Sequence, residues 1–274
     1  MLTKEHIHHL EMKSKEMRED ILKMCHGCGK NNSHLSGCLS AVETLAVLFL
    51  ETIDLVKTRD RIILSKGHAG IALYAAMKQA GLLTQEEIER PLRGSGSELF
   101  RHPARNPGKY IETTAGSLGQ GLSYGAGLAL AMKKKFNNSA KVFVMVGDGE
   151  CNEGSVWEAA AFASHMKLDN LIVIVDKNNL QLDGFTNDIM NMDNMAEKWS
   201  AFGFDIKCVD GHNVNELYTA LLCAKTQREG KPFAIIANTT KGKGVSFAEN
   251  VPEWHDAYMD DKSYAIALQE VKDA

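Results

Sequence analysis

Three short, unbroken apolar runs constrain what this chain can fold into: Val142–Val146, Leu171–Val175 and Phe233–Ala237. Each is rich in branched aliphatic residues and bounded by polar turns, as in strands covered on both faces. Arg61–Ser65 (RIILS) is a shorter run of the same kind. Helical patterns at Ser155–Met166 and Val214–Thr226 lie between the runs. This alternation predicts an α/β fold, a parallel sheet flanked by helices on both faces. The first thirty residues predict an amphipathic helix ending at Gly27 or Gly29. A second helix is predicted over Ser40–Thr52, with Ser40 as N-cap and Glu43 as its capping-box partner. A further helix runs through Met77 and stops near Gly81, and Pro91–Lys109 reads as loop. Leu118–Phe136, rich in Ala, Gly and Leu, reads as a closely packed helix. No repeat or low-complexity linker divides the chain, so residues 1–274 are expected to form a single domain.

Ligands of such folds bind beyond the carboxyl ends of the strands. Two strand ends here are unusually polar. Val142–Val146 runs into Gly147-Asp148-Gly149-Glu150-Cys151-Asn152-Glu153-Gly154, and Leu171–Val175 runs into Asp176-Lys177-Asn178-Asn179. Adjacent strands would place Asp148 beside Asn178, a carboxylate and an amide oxygen suited to Mg²⁺, which completes its octahedron with phosphate and water. Gly149 lets the backbone approach a phosphate, and the following helix presents its N-terminal N–H groups. The physical expectation is a Mg²⁺–diphosphate site.

Other motifs carry less. Cys25-His26-Gly27-Cys28 with His34 and Cys38 lacks the paired-knuckle spacing of a structural zinc site, and buried reduced thiols are expected instead. Gly119-x-Gly121-x-x-x-Gly125 lacks the preceding apolar strand of a dinucleotide loop and reads as helix packing. Lys241-Gly242-Lys243-Gly244 lacks the ending of a P-loop. His212, after Asp210-Gly211 and before a helix, reads as a turn or cap residue. Charge narrows the field further: 31 Lys+Arg against 35 Asp+Glu give a net charge of −4, with no basic stripe for nucleic acid. No apolar run approaches the ~18–20 residues of a membrane span. The charged N-terminus does not read as a signal peptide, so a cytoplasmic setting is expected.

The stretch GDGECNEGSVWEAAAFASHMKLDNLIVIVDKNN resembles the thiamine diphosphate signature, GDG followed at a distance by NN. LSKGHAGIALYAAM, ETTAGSLGQGLSYGAGLALA and TTKGKGVSFAENVPEWH are similar to segments of transketolase, closely its animal-type members. The resemblance implies a thiamine diphosphate-binding fold that moves a two-carbon ketol unit from a ketose to an aldose, with phosphorylated sugars as substrates. It implies Asp148 and Asn178 as Mg²⁺ ligands by side chain, with Leu180 ligating by its carbonyl; Ca²⁺ or Mn²⁺ are substitutes. Gly149 would bind the diphosphate, and Gly116, Ser117 and Leu118 the aminopyrimidine end. His68, Lys241 and His255 would lie near the cofactor. His34, His68, His102 and His255 would form a funnel for sugar hydroxyls, and Glu153 a carboxylate between two active sites at a dimer interface. The family's pyrimidine-binding domain is not found here. The resemblance therefore implies a partner chain of the split, two-chain type, in an α₂β₂ assembly.

Two motifs depart from the family pattern. The usual Gly-His-Pro-Gly reads Ser33-His34-Leu35-Ser36-Gly37, and the Gly-Lys that commonly follows Trp-His reads Asp256-Ala257. The α subunit of a 2-oxo acid dehydrogenase E1 shares GDG…NN, but the four histidines argue against it. A non-catalytic cofactor-binding scaffold is the alternative outside enzymes, and a nicotinamide-dependent Rossmann enzyme has only the Gly119 region in its favour.

Overall fold

A computed structural model describes residues 2–90, 92, 97–136, 140–226 and 230–274. Part of the expected Pro91–Lys109 loop (91 and 93–96) lies outside the described residues. Five strands form one sheet: β1 (Arg61–Leu64), β2 (Val142–Gly147), β3 (Leu171–Lys177), β4 (Asp205–Asp210) and β5 (Phe233–Asn238). Their order is β1-β2-β3-β5-β4, and every pairing is parallel. The helices are α1 (Lys4–His26), α2 (Leu35–Leu39), α3 (Val42–Val47), α4 (Gly70–Gln79), α5 (Gln85–Glu89) and α6 (Gln120–Phe136). They continue with α7 (Gly154–His165), α8 (Thr186–Ile189), α9 (Met195–Ala201), α10 (Val214–Thr226) and α11 (Asp261–Asp273).

The unbroken apolar runs have a direct cause. Phe143, Met145, Ile172, Ile174 and Ile235 point into one core, shared with α1, α3, α4 and α10. Their neighbours Val142, Val144, Leu171, Val173, Val175, Ala234 and Ile236 point into a second, shared with α6, α7 and α9. Successive side chains face opposite layers, and both layers are buried, so the runs cannot alternate with polar residues.

α6 lies unusually close to the sheet. A Cβ on Gly125 would fall 2.4 Å from Val144 Cγ2, and one on Gly121 would fall 2.4 Å from Ser65 Oγ. These glycines are therefore packing devices, in line with the reading of the Gly119 region as helix packing.

Three local expectations change. The predicted Ser40–Thr52 helix is α3 followed by a π-helical turn at Leu48–Thr52. Ser40 does not cap it: its hydroxyl donates to Asp176 Oδ2 at 2.7 Å. Glu43 is no capping-box partner, being held by Arg18 and His212. The β4 edge strand and α11 had no counterpart in the sequence reading. Cys25, Cys28 and Cys38 are buried free thiols, and burial pushes Cys38 up to about 12. Among the described residues, no group of three or more His, Cys, Asp or Glu is arranged to hold a metal, and no helix is long and apolar enough to cross a membrane.

Candidate active site

Because all five strands are parallel, their carboxyl ends share one edge, and four of them supply the site. β1 leads into Lys66-Gly67-His68, β2 into Asp148 and Gly149, β3 into Asn178 and Leu180, and β5 into Thr239 and Lys241. These segments line a cleft of about 270 Å³ together with His34, His102, Gly116, Leu118 and His255. The cleft thus gathers eleven of the thirteen residues singled out from sequence. Ser117 and Glu153 are exposed and stand outside its lining; Glu153 occupies the N-cap position of α7.

The floor is a buried hub that the sequence reading passed over. Asp176 is fully buried and accepts hydrogen bonds from Lys66 Nζ and Thr239 Oγ1, from Ser40 Oγ at 2.7 Å and from Asn178 Nδ2 at 3.2 Å. Burial alone would raise its carboxyl, but Lys66 and the hydrogen bonds from Thr239 and Ser40 together outweigh that, and the group lies below the ordinary carboxylate range. Glu150, also buried, accepts from Ser65 Oγ, from Gly119 N at 2.8 Å and from Gly147 N at 3.1 Å, so it ties the 117–121 turn to the end of β2. The available signal was modest: Lys66 and Asp176 are each a charged residue closing an apolar run.

Asp148 sits on this floor. Its Oδ2 accepts from Asn179 N at 2.6 Å and its Oδ1 from Gly149 N at 2.9 Å. Burial, then the nearby Asp176, pushes its carboxyl up to about 6. A buried carboxylate facing a second carboxylate is the environment that a cation relieves. Asn178 Oδ1 accepts from Leu180 N at 3.1 Å, and the Leu180 carbonyl lies 3.4 Å from Lys241 Nζ. Asp148, Asn178 and the Leu180 carbonyl therefore bring three hard oxygens to one cleft, which fits a Mg²⁺ ion with phosphate and water completing its shell.

Above the floor stand four imidazoles. The ring centroids of His34 and His68 are 5.7 Å apart, His34 and His102 5.1 Å, His34 and His255 5.4 Å, and His68 and His255 5.3 Å. Burial lowers His34 to about 4 and His255 to about 3, and it holds His68 well below its ordinary value. These three rings are accordingly neutral near pH 7; a nitrogen of His34 or His68 can accept a proton, whereas Nδ1 of His255 already faces Lys241 Nζ at 2.6 Å.

His212 has a different place from the one its sequence position suggested. Its ring lies 2.9 Å (Nδ1) from Glu43 Oε2, while Nε2 accepts from Thr240 N at 2.8 Å. Since Nε2 is an acceptor, Nδ1 carries the proton and donates to Glu43. Glu43 in turn pairs with Arg18 at 2.6 Å, and Arg18 Nε donates to the Lys243 carbonyl. This chain of contacts braces the 239–244 loop that carries Lys241. It borders a hollow of about 410 Å³ outside the histidine cleft, lined in part by His8, His212, Glu11 and Glu43 and apart from the four-imidazole cluster.

Comparison with known proteins agrees with this geometry. Residues 30–271 match the family described as "Transketolase, thiamine diphosphate binding domain". The chain belongs to this transketolase family and carries its thiamine diphosphate-binding fold. It is 39% identical over 270 residues to one of the subunits of an apulose-4-phosphate transketolase from Actinobacillus succinogenes, covering 96% of each. It is 38% identical to the 6-deoxy-6-sulfo-D-fructose transketolase subunit SqwG of Clostridium sp., covering 87% of this chain and 88% of that one. The crystal structure of transketolase from Campylobacter jejuni superimposes with a TM-score of 0.87 at 29% identity. That match covers 97% of this chain but 43% of the other, so the chain spans less than half of the solved transketolase.

Proposed function

We propose that this chain is the diphosphate-binding subunit of a two-chain transketolase that moves a two-carbon ketol group from a ketose to an aldose. The observation that carries the reading is the convergence of four imidazoles in the same cleft as Asp148 and Asn178. The whole described chain serves as one domain, with the pyrimidine-binding half on a second chain in an α₂β₂ assembly. Relatives of matching length that are named as subunits support that arrangement. Those relatives are named for a phosphorylated and a sulfonated sugar, which supports a ketose with an anionic end group as donor.

Asp148, Asn178 and the Leu180 carbonyl would hold Mg²⁺, and the Gly149 N–H, which donates to Asp148 Oδ1 in this structure, would turn to the diphosphate when the cofactor binds. Gly116, Ser117 and Leu118 would meet the aminopyrimidine end of the cofactor, with Lys241, His68 and His255 beside it. When bound, thiamine diphosphate supplies the electron sink that lets a ketose cleave between C2 and C3. The protein's own task is proton transfer and position. A neutral imidazole of the His34–His68–His102–His255 cluster takes the proton of the donor C3 hydroxyl and later returns one to the acceptor aldehyde oxygen. Lys241 Nζ, 2.6 Å from His255 Nδ1 and 2.9 Å from the Gln181 carbonyl, fixes the orientation of the His255 ring. Glu153, on the exposed rim, would meet the second active site across the dimer interface.

The test is reconstitution with the partner chain. Calorimetry should show thiamine diphosphate binding that requires Mg²⁺, and the pair should transfer ketol units between phosphorylated sugars. Decarboxylation of pyruvate in place of transfer, or an absence of cofactor binding by the pair, would remove the reading.

A further inference from the structure

The segment between the end of β5 and the turn at Gly242 is pinned at both ends by main-chain contacts. Thr239 N donates to the Lys177 carbonyl at 3.0 Å, and Gly242 N donates to the Ser36 carbonyl at 3.0 Å. Between them, the Thr240 N–H is held by a side chain instead: it donates to His212 Nε2 at 2.8 Å. A backbone N–H only donates, so this ring nitrogen carries no proton and the ring proton sits on Nδ1. Glu43 Oε2 accepts that proton at 2.9 Å, and Arg18, 2.6 Å from Glu43, keeps the carboxylate ionised. The Arg18, Glu43 and His212 side chains are 11%, 9% and 17% exposed, so water competes little for these contacts. His212 itself stands outside the lining of the histidine cleft.

The residue after Thr240 reaches into the cleft. Lys241 Nζ lies 2.6 Å from His255 Nδ1 and 2.9 Å from the Gln181 carbonyl, and the His255 ring packs beside His34 and His68. Resting on the transketolase reading above, we propose that His212 is a positioning residue for ketol transfer: by accepting the Thr240 N–H it fixes the peptide that carries Lys241, and so the contact of Lys241 with the His255 ring. Glu43 and Arg18 act one step further back, by setting the His212 tautomer. The opposite tautomer would turn an N–H against the Thr240 N–H and leave a shielded donor unpaired. Without the imidazole, Thr239 and Gly242 stay anchored while the peptide between them is free to turn, and the ammonium loses its register on His255. The Thr239 hydroxyl bond to Asp176 lies on the anchored side, so the floor that carries Asp148 and Asn178 is left in place.

The experiment compares wild type with His212→Gln, His212→Asn and His212→Ala. The amide oxygen of glutamine reaches the position of Nε2, whereas that of asparagine reaches only the position of Nδ1. In the reconstituted two-chain enzyme with thiamine diphosphate, His212→Ala and His212→Asn should lower kcat about tenfold or more, the scale for a slightly misplaced acid–base group, and His212→Gln should recover most of that loss. KM and thiamine diphosphate affinity, the latter also reporting a folded site, should change only a few-fold. Long-range nitrogen–proton spectra of the full chain at neutral pH read the link directly. His255 should show one tautomer, with Nδ1 bare, in wild type and His212→Gln, and a mixture of tautomers in the other two. A kcat for His212→Ala within twofold of wild type, cofactor affinity that falls in step with kcat, equal losses in the Gln and Asn variants, or an unchanged His255 tautomer would each overturn the assignment. Absence of ketol transfer by the wild-type pair would instead remove the transketolase reading, and the His255 spectra would still decide whether His212 governs Lys241.

Discussion

Lys241 Nζ lies 2.6 Å from His255 Nδ1, an ammonium donating to a ring nitrogen across the mouth of the cleft. The contact leaves His255 neutral, with its proton on Nε2, in a ring that packs beside His34 and His68. Burial, then Lys66, lowers Lys241 to about 8, and Lys241 is itself a reason that His255 sits near 3. His255→Phe should therefore lower kcat of the reconstituted enzyme by about a hundredfold, the usual scale for a general acid–base group. Thiamine diphosphate affinity should change only a few-fold. Steady-state kinetics beside calorimetry separates the two, and loss of cofactor binding with retained turnover per bound site would contradict the proton-transfer role.

Asp148→Ala should abolish Mg²⁺-dependent cofactor retention, because the neighbouring carboxylates are engaged: Asp176 by Lys66, Thr239, Ser40 and Asn178, and Glu150 by Ser65, Gly119 and Gly147. His102→Ala should slow turnover with the cofactor still bound. Calorimetry of both variants checks the contrast, and normal cofactor binding by Asp148→Ala would displace the metal assignment.

The lowered histidines give a direct pH test. With His34 near 4 and His255 near 3, both rings should remain neutral at pH 5.5, a pH at which an ordinary imidazole is mostly protonated. Ring-nitrogen chemical shifts across pH 4–8 report this, and protonation of either ring near pH 6.5 would refute it.

Glu43 links Arg18 to His212 from a buried position, so removing its charge strands a guanidinium. Glu43→Gln should cost about 3 kcal/mol of stability. Burial raises the Glu43 carboxyl, but Arg18 and His212 together bring it below its ordinary value. Its stabilising contribution is therefore complete above the ordinary glutamate range and is lost as pH falls through the lowered folded value. The gap between wild type and Glu43→Gln should close in acid, and urea unfolding at pH 7 and pH 3 measures it.

Gly125→Ala places a methyl group 2.4 Å from Val144 Cγ2, where α6 meets β2. Overpacking of this kind should destabilise the fold by about 1–3 kcal/mol. Gly127→Ala, on the same helix with open space around its Cβ position, should be neutral or mildly stabilising. Paired thermal melts test whether glycine serves packing at one site and not at the other.

The central strands were legible because burial on both faces leaves an unbroken apolar signature in β2, β3 and β5. β4 was not. At the sheet edge only Val209 is buried, so Asp205, Lys207 and Asp210 interrupt any pattern. The Asp148 and Asn178 pair was visible because neighbouring parallel strands bring their ends together by rule. The Lys66–Asp176 and Ser40–Asp176 contacts were not, since they join residues 110 and 136 positions apart. Ser40 shows how such a contact misleads a local reading. Its hydroxyl has the chemistry of a helix cap, but a buried carboxylate from β3 takes it first. Likewise, nothing near His212 in the sequence announces Glu43 or Thr240.

Asp176 also bears on how the protein folds. Its partners come from the loop before α3, the end of β1, the turn after β3 and the end of β5, segments scattered across most of the chain. No partial assembly satisfies it: until β5 docks, the fully buried Asp176–Lys66 pair lacks the Thr239 hydroxyl. Local opening at this point is therefore costly, and the amides of Lys66, Asp176 and Thr239 should exchange with solvent only through global unfolding. The floor beneath the histidines thus forms as one cooperative unit, so cofactor binding would report completion of the whole sheet and not the state of a single loop.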